Sequence, residues 1–285
     1  MGVEVDYFDA DESRDLSPRL KPNTRAIYLE SPGTLTMQIQ DLRAVTGLAR
    51  EKGIYTLIDN TWATPLYQQP ITLGVDVVLH TATKYIGGHS DVMAGILACD
   101  TELYPKIQPI AEVLGAALSP DDAYLVTRGL RTLPVRLERQ SASALTLARW
   151  LQARPEVLKV NHPGLPEFSG YELARTQMSG YSGLFSIAIR EPASEAAQHA
   201  FVNALRYFSI GVSWGGYESL LMPVGDSYRN VPEIRKSMGI EDEMYRISVG
   251  LESVEDLIAD LERGFAARAA VIENLKAGLV ASHDN

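Results

Sequence analysis

The sequence predicts an α/β protein: a mostly parallel sheet with helices on both faces, followed by a smaller α+β domain toward the carboxyl end. Three observations carry that expectation. Two short runs rich in β-branched residues, Tyr55 to Ile58 and Val75 to Leu79, are bounded by turn residues, as buried strands of a parallel sheet are. Between an earlier apolar run, Ala26 to Leu29, and the first of these, Leu42, Val45, Leu48 and Ala49 recur at helical spacing. Strand, helix and strand in succession is the alternation that right-handed crossovers wind into a parallel sheet.

Each element has its own local warrant. Val3, Val5 and Tyr7 alternate with polar residues and read as a strand entering the sheet. ESPGT, Glu30 to Thr34, supplies a turn after the run at Ala26. Asp41 can cap the helix that follows and Gly53 can end it. After Val75 to Leu79 comes Lys84, then Gly87 and Gly88, which permit a tight backbone path, and Ala94 to Cys99 reads as a further, buried strand. From Ser119 to Arg154 the pattern is helical, with a break expected at Pro134, and Leu145, Ala148 and Leu151 expected to face a core. The domain boundary is placed here, giving a large domain over residues 1–130 and a small one over 131–285. In the second, strands at Leu184 to Ile189 and Tyr245 to Val249 alternate with helices at Glu195 to Tyr207 and Val254 to Ala266.

Composition narrows the function classes. With 285 residues, 46% of them hydrophobic, the chain can bury a sizeable core. A net charge of -10 argues against a nucleic-acid partner, which would require a basic face. Cys99 is the only cysteine, so no intrachain disulfide is possible, and in its apolar run it reads as a small hydrophobe. The opening residues are acidic and lack a cationic segment followed by an apolar one, Asp6 spoils a myristoylation pattern, and no apolar stretch approaches the roughly 20 residues that span a bilayer. A cytoplasmic protein is the expectation.

The chemistry concentrates where two apolar runs stop on polar residues. Ligands of parallel sheets sit at strand carboxyl ends, and here those ends carry Asp59 and, just beyond the next strand, Lys84 with Thr81 and Thr83. An aspartate, a lysine and two hydroxyls in one place match the needs of pyridoxal 5'-phosphate. The amine condenses with the aldehyde, the carboxylate keeps the pyridine nitrogen protonated so that the ring acts as an electron sink, and the hydroxyls hold the phosphate. Opposite charges about 4 Å apart at an effective dielectric near 20 interact by about 4 kcal/mol, roughly three pKa units on the ring nitrogen. Competing cofactors lack their signal, since there is no GxGxxG and no GKS or GKT.

TATKYIGGHSD, with IDNTWATP upstream, resembles the lysine and aspartate motifs of the Cys/Met-metabolism pyridoxal-phosphate enzymes. The likeness continues through ESPGT, RGLRTLPVRL (Arg128 to Leu137), SWGGYESL (Ser213 to Leu220) and RISVGLE (Arg246 to Glu252), in one order along almost the whole chain. It implies the aspartate-aminotransferase-like fold, known as fold type I, with Lys84 as catalytic and cofactor-bearing residue and Asp59, Thr81 and Thr83 as cofactor ligands. It further implies that Arg246 holds the substrate α-carboxylate through its planar fork, and that Ser213 and Trp214 line the pocket. Trp214 favours the β-cleaving lyases of cystathionine over their γ-acting relatives, the cystathionine γ-synthases and γ-lyases, whereas Val212 departs from the tyrosine common in the β-lyases. The expected reaction converts cystathionine to homocysteine, pyruvate and ammonia, in a homodimer or homotetramer with shared sites.

The family places an arm and an opening strand and helix ahead of the point matching the start of this sequence, so the chain is expected to lack the amino-terminal part of the large domain. Its alternative expectation is an impaired or non-catalytic remnant of the fold. Two other chemistries are weighed from the residues. GVSWG, Gly211 to Gly215, fits the GxSxG nucleophile elbow, but the only histidine after Ser213 is His283 in the polar tail. The five histidines, 80, 89, 162, 199 and 283, show no metal-ligand spacing. His80 and His89 flank the lysine loop and read as structural.

Overall fold

The computed structural model describes residues 2–190 and 193–283, without the side chains of 226 and 278–283. Two compact units emerge, Met1–Pro134 with Ser169–Tyr181 and Val135–Phe168 with Ser182–Asn285. The elements run β1 (Ala26–Glu30), α1 (Leu42–Lys52), β2 (Tyr55–Asp59), α2 (Thr64–Tyr67), β3 (Val77–Thr81), β4 (Gly95–Cys99), α3 (Tyr104–Val113), α4 (Pro120–Gln152), β5 (Val157–Asn161), α5 (Tyr171–Gln177), β6 (Leu184–Ile189), α6 (Glu195–Asn203), β7 (Ser209–Ile210), β8 (Leu220–Pro223), α7 (Val224–Ser227), α8 (Pro232–Ser237), β9 (Met244–Ser248) and α9 (Val254–His283).

In the first unit the sheet order is β1-β2-β3-β4, with the first three strands parallel and β4 antiparallel to β3. Period-two alternation sends Ile27, Leu29, Ile58 and Val78 to one face, where they pack with Leu42, Val45 and Ala49 of α1. Each such side chain contributes about 1.5–3 kcal/mol on burial. The helix is punctuated as its sequence suggests: Asp41 accepts the Ala44 N–H at 3.0 Å, and Gly53 closes it at φ 66°. A third tie is long-range. Gln177 of α5 accepts the Leu42 N–H at 2.7 Å and donates to the Gln40 carbonyl at 3.0 Å, so a segment 135 residues away completes the cap.

Three expectations are corrected in this unit. Residues Val3, Val5 and Tyr7 form no strand and are 77%, 66% and 86% exposed. Local polar chemistry takes over instead: Asp6 pairs with Lys21 at 2.6 Å, and the Asp9 N–H donates to Glu12 at 2.8 Å to start a 3-10 turn over Ala10–Arg14. β4 is present where expected but is not buried. It is the edge of the sheet, Ile96 and Leu97 are exposed, and Cys99 is half-buried. Pro134 does not break α4. It lies on an exposed face of the helix, while Leu133 and Leu137 are buried on the other side.

The second unit holds the mixed sheet β5-β6-β9-β8-β7. β6 and β9 are buried along their whole lengths and pair antiparallel. Toward the carboxyl end of α4, Ala144, Leu147, Ala148 and Leu151 are buried, with Leu145 only partly covered. α6 stops at Asn203, earlier than its pattern suggests, because Asp260 of α9 accepts the N–H groups of Arg206, Tyr207 and Phe208 at 2.8, 2.8 and 3.0 Å and organises the following turn. A buried pair, Arg268 with Glu243 at 2.9 Å, ties α9 to the residue before β9.

Candidate active site

The carboxyl ends of β2 and β3 converge on one hydroxyl. Asp59 is the last residue of β2, and its Oδ1 accepts both the N–H of Thr61, at 2.9 Å, and the Thr61 hydroxyl. The same Thr61 Oγ1 accepts the N–H of Thr81, the last residue of β3, at 2.7 Å. The Lys84 N–H then donates to the Thr81 carbonyl at 3.0 Å, closing the turn that carries the lysine. Asp59, Thr81 and the Lys84 turn are therefore joined through consecutive hydrogen bonds, all within the first unit.

Strand register explains the placement. Asp59 pairs with Leu79 on one side and Glu30 on the other, so the aspartate lies on the sheet face opposite α1, together with Tyr28 and Leu57. Burial and the charges of Asp59 and Glu30 hold the Tyr28 phenol above its ordinary pKa. His80 points to the other face, 7% exposed, and burial keeps its imidazole below the usual range although Asp59 pulls the other way. Thr83 anchors the loop exit: its hydroxyl accepts the Ala94 N–H at 3.0 Å and donates to the Ala94 carbonyl at 3.4 Å. His89 lies on the same loop, its Nδ1 2.7 Å from the Gly87 carbonyl oxygen.

Backbone strain gathers at this end of the sheet. Met37, Thr64 and Ser90 are non-glycine residues with φ of 57°, 59° and 59°, one in each connection leaving β1, β2 and β3. For a β-branched residue such as Thr64 this region is a genuine outlier costing of order 1–3 kcal/mol. Asn60 holds that turn, donating from Nδ2 to the Thr64 carbonyl at 3.2 Å and to that of Gln68 at 3.0 Å. Behind the lysine turn, α4 comes so close that a Cβ on Gly129 would sit 2.2 Å from the Gly87 carbonyl oxygen. Neither Thr61 nor Gly129 stands among the residues read from the sequence as functional. Thr61 has a recognisable signal, because an aspartate whose side chain takes the N–H two residues on is an Asx-turn.

Arg246, Ser213 and Trp214 come together in the second unit. Arg246 lies at the middle of β9, buried, between Ser186 of β6 and Met222 of β8. Its guanidinium donates to the Val212 carbonyl, which places it against the loop holding exposed Ser213 and half-buried Trp214. That loop is pinned at several points: Gly215 N–H to Ser248 Oγ at 3.2 Å, Gln140 Nε2 to the Gly216 carbonyl at 2.6 Å, and Ser219 to Glu252 at 2.8 Å. The nucleophile-elbow reading of GVSWG does not survive this geometry. Ser213 sits in an irregular loop between two strands, β7 and β8, whereas the elbow is a strand-to-helix turn.

The donor set suits pyridoxal phosphate. One carboxylate oxygen is committed to protein, the other takes no hydrogen bond from the described residues, and the turn that carries Lys84 follows the neighbouring strand, tied to Asp59 through Thr61 and the Thr81 backbone. Comparisons agree with that chemistry. The family model described as "Cys/Met metabolism PLP-dependent enzyme" matches residues 1–266. Cystathionine beta-lyase of Lactococcus lactis subsp. cremoris is 41% identical over 264 residues, covering 92% of this chain and 69% of the relative. Cystathionine gamma-lyase of Bacillus subtilis is 38% identical over the same shares. Among solved structures, cystathionine gamma synthase from Xanthomonas oryzae pv. oryzae, in complex with cystathionine, superposes with a TM-score of 0.86 at 38% identity, covering 92% of this chain and 68% of that one. Strand ends that gather an aspartate and a lysine, a fold shared with those enzymes and a match along nearly the whole chain lead to one conclusion: the protein belongs to the Cys/Met-metabolism family of pyridoxal-phosphate-dependent enzymes, with their fold type I architecture.

Proposed function

We propose that the protein is a carbon–sulfur lyase that cleaves cystathionine at its β-carbon, yielding homocysteine, pyruvate and ammonia. The observation that carries the reading is the locked Asp59 carboxylate beside the Thr81–Lys84 turn at the carboxyl ends of two parallel strands. Asp59, Thr81, Thr83 and Lys84 would hold pyridoxal phosphate, which supplies an electron sink for charge that develops at the substrate Cα. Lys84 would bind the aldehyde, and its Nζ would serve as the base for the substrate Cα proton. Asp59 would face the ring nitrogen, and Arg246 would orient the α-carboxylate so that the breaking bonds are aligned. Ser213 and Trp214 form the wall beside Arg246. A homodimer or homotetramer is part of the same reading.

Preference for β-cleavage rests on Trp214 and on the Lactococcus relative. A γ-acting enzyme is the second reading, supported by Val212 and by the Bacillus and Xanthomonas proteins. One assay separates them. Purified protein supplied with pyridoxal phosphate should develop a violet absorbance band that Lys84→Ala abolishes, and should release pyruvate with homocysteine from cystathionine. Release of 2-oxobutyrate with cysteine would replace the β reading by the γ one. The band without either keto acid would rule out both cleavage readings, and absence of the band would overturn the cofactor assignment.

A further inference from the structure

The two oxygens of Asp59 are not equivalent. Oδ1 takes two hydrogen bonds, from the N–H and the hydroxyl of Thr61, while among the described residues none is made to Oδ2. Thr61 is itself doubly held. Its oxygen accepts the Thr81 N–H at 2.7 Å, and that bond fixes the direction in which its single proton points, toward Asp59. Thr61 is 5% exposed, so water does not compete for these bonds. Around it, the Asn60 N–H donates to the Leu79 carbonyl at 2.9 Å, and Asn60 Nδ2 clamps the strained Thr64 turn. A carboxylate normally rotates about its Cβ–Cγ bond and offers either oxygen. This one cannot do so without breaking two hydrogen bonds to Thr61.

We infer that Thr61 is a positioning residue, which orients Asp59 so that Oδ2 alone is presented to a ring N–H of the bound cofactor. The inference rests on the cofactor reading above. It concerns the pyridine nitrogen specifically, because the phosphate and the aldehyde are served by other residues.

The test uses the full-length chain and two probes, pyridoxal phosphate and a deaza analogue whose ring carries C–H in place of the pyridine nitrogen, each titrated by absorbance. Thr61→Val should weaken pyridoxal phosphate roughly tenfold or more, the loss expected of one hydrogen bond to a charged group, and leave the deaza analogue within about twofold of wild type. Thr61→Ser, which restores the hydroxyl, should return pyridoxal phosphate to within about threefold of wild type. If circular dichroism shows Thr61→Val unfolded, Thr61→Ala removes the same hydroxyl with less volume and takes its place. Equal binding of pyridoxal phosphate by wild type and variant would overturn the inference, as would an equal loss for both probes, which marks a merely structural role. Failure of the wild type to bind either probe is read before any variant is made, and would remove the cofactor reading and this inference together.

Discussion

Asp59 and Thr81, the last residues of two neighbouring parallel strands, are bridged by the one hydroxyl of Thr61. This end of the sheet is thereby fixed by the protein's own hydrogen bonds. Preorganised charge of this kind is worth most in a site from which water is excluded.

The charge on Asp59 is the first quantity to remove. In Asp59→Asn the side-chain oxygen can still accept from Thr61, so the turn should survive while the interaction with the ring nitrogen is lost. At about 4 kcal/mol for the charge pair, turnover of cystathionine should fall by roughly 10²- to 10³-fold. Steady-state pyruvate release, with circular dichroism as a control for folding, measures it. A variant within threefold of wild type would mean that Asp59 does not face the cofactor.

Gly129 tests the packing behind the lysine. A methyl group there would meet the Gly87 and Ile86 carbonyl oxygens at 2.2 and 2.5 Å, distances that only backbone movement can relieve. Gly129→Ala should therefore destabilise the protein by about 1–3 kcal/mol and shift the lysine turn that follows β3. Urea unfolding reads the first effect, and a lowered affinity for pyridoxal phosphate in the folded fraction reads the second. Neither should occur in Gly47→Ala, where a Cβ meets nothing within 4 Å.

Much of this site is legible in the sequence because its parts are local. The runs ending at Asp59 and preceding Lys84 announce strands by composition, and Asp41 and Gly53 announce both ends of α1. What escaped reading depends on distance along the chain or on exposure. No local pattern says that Gln177 will cap α1, that Gly129 will touch Gly87, or that Asp260 will end α6. The alternating residues at Val3, Val5 and Tyr7 have strand composition, but composition cannot supply a neighbouring strand. β4 fails in the opposite sense: its apolar run forms a strand as expected, and the sheet order then leaves it at an edge.

Arg246 offers a test of substrate orientation. Lysine in its place keeps the charge but loses the planar fork, so a bidentate hold on a carboxylate becomes a single contact. Arg246→Lys should lower kcat/KM for cystathionine by roughly 10- to 100-fold, corresponding to about 1.5–3 kcal/mol for one charge-assisted hydrogen bond. The analogue of the substrate lacking its α-carboxylate should be bound equally by both proteins. If inhibition by that analogue weakens as much as turnover does, Arg246 acts by supporting the Val212 loop rather than by holding the carboxylate.

His162 gives the second unit a pH-dependent stability. The residue is fully buried, its Nδ1 accepts the Gly164 N–H at 2.9 Å, and its ring packs against Phe185 with centroids 5.6 Å apart. Burial, reinforced by the charge of Arg149, lowers its pKa from 6.5 to about 4. Between those two values the unfolded chain binds the proton and the folded one does not, so acid favours unfolding across that window. Stability is complete above pH 6.5, declines as pH falls, and by about pH 4 the loss from this group amounts to about 3 kcal/mol. Asparagine at this position can accept the Gly164 N–H without titrating. His162→Asn should be less stable than wild type at pH 7 because ring packing is lost, yet its urea midpoint should fall less between pH 7 and pH 4. Carboxylates titrate in both proteins and cancel from the difference, so parallel pH profiles would show that the ring is already protonated, or solvated, in the folded state.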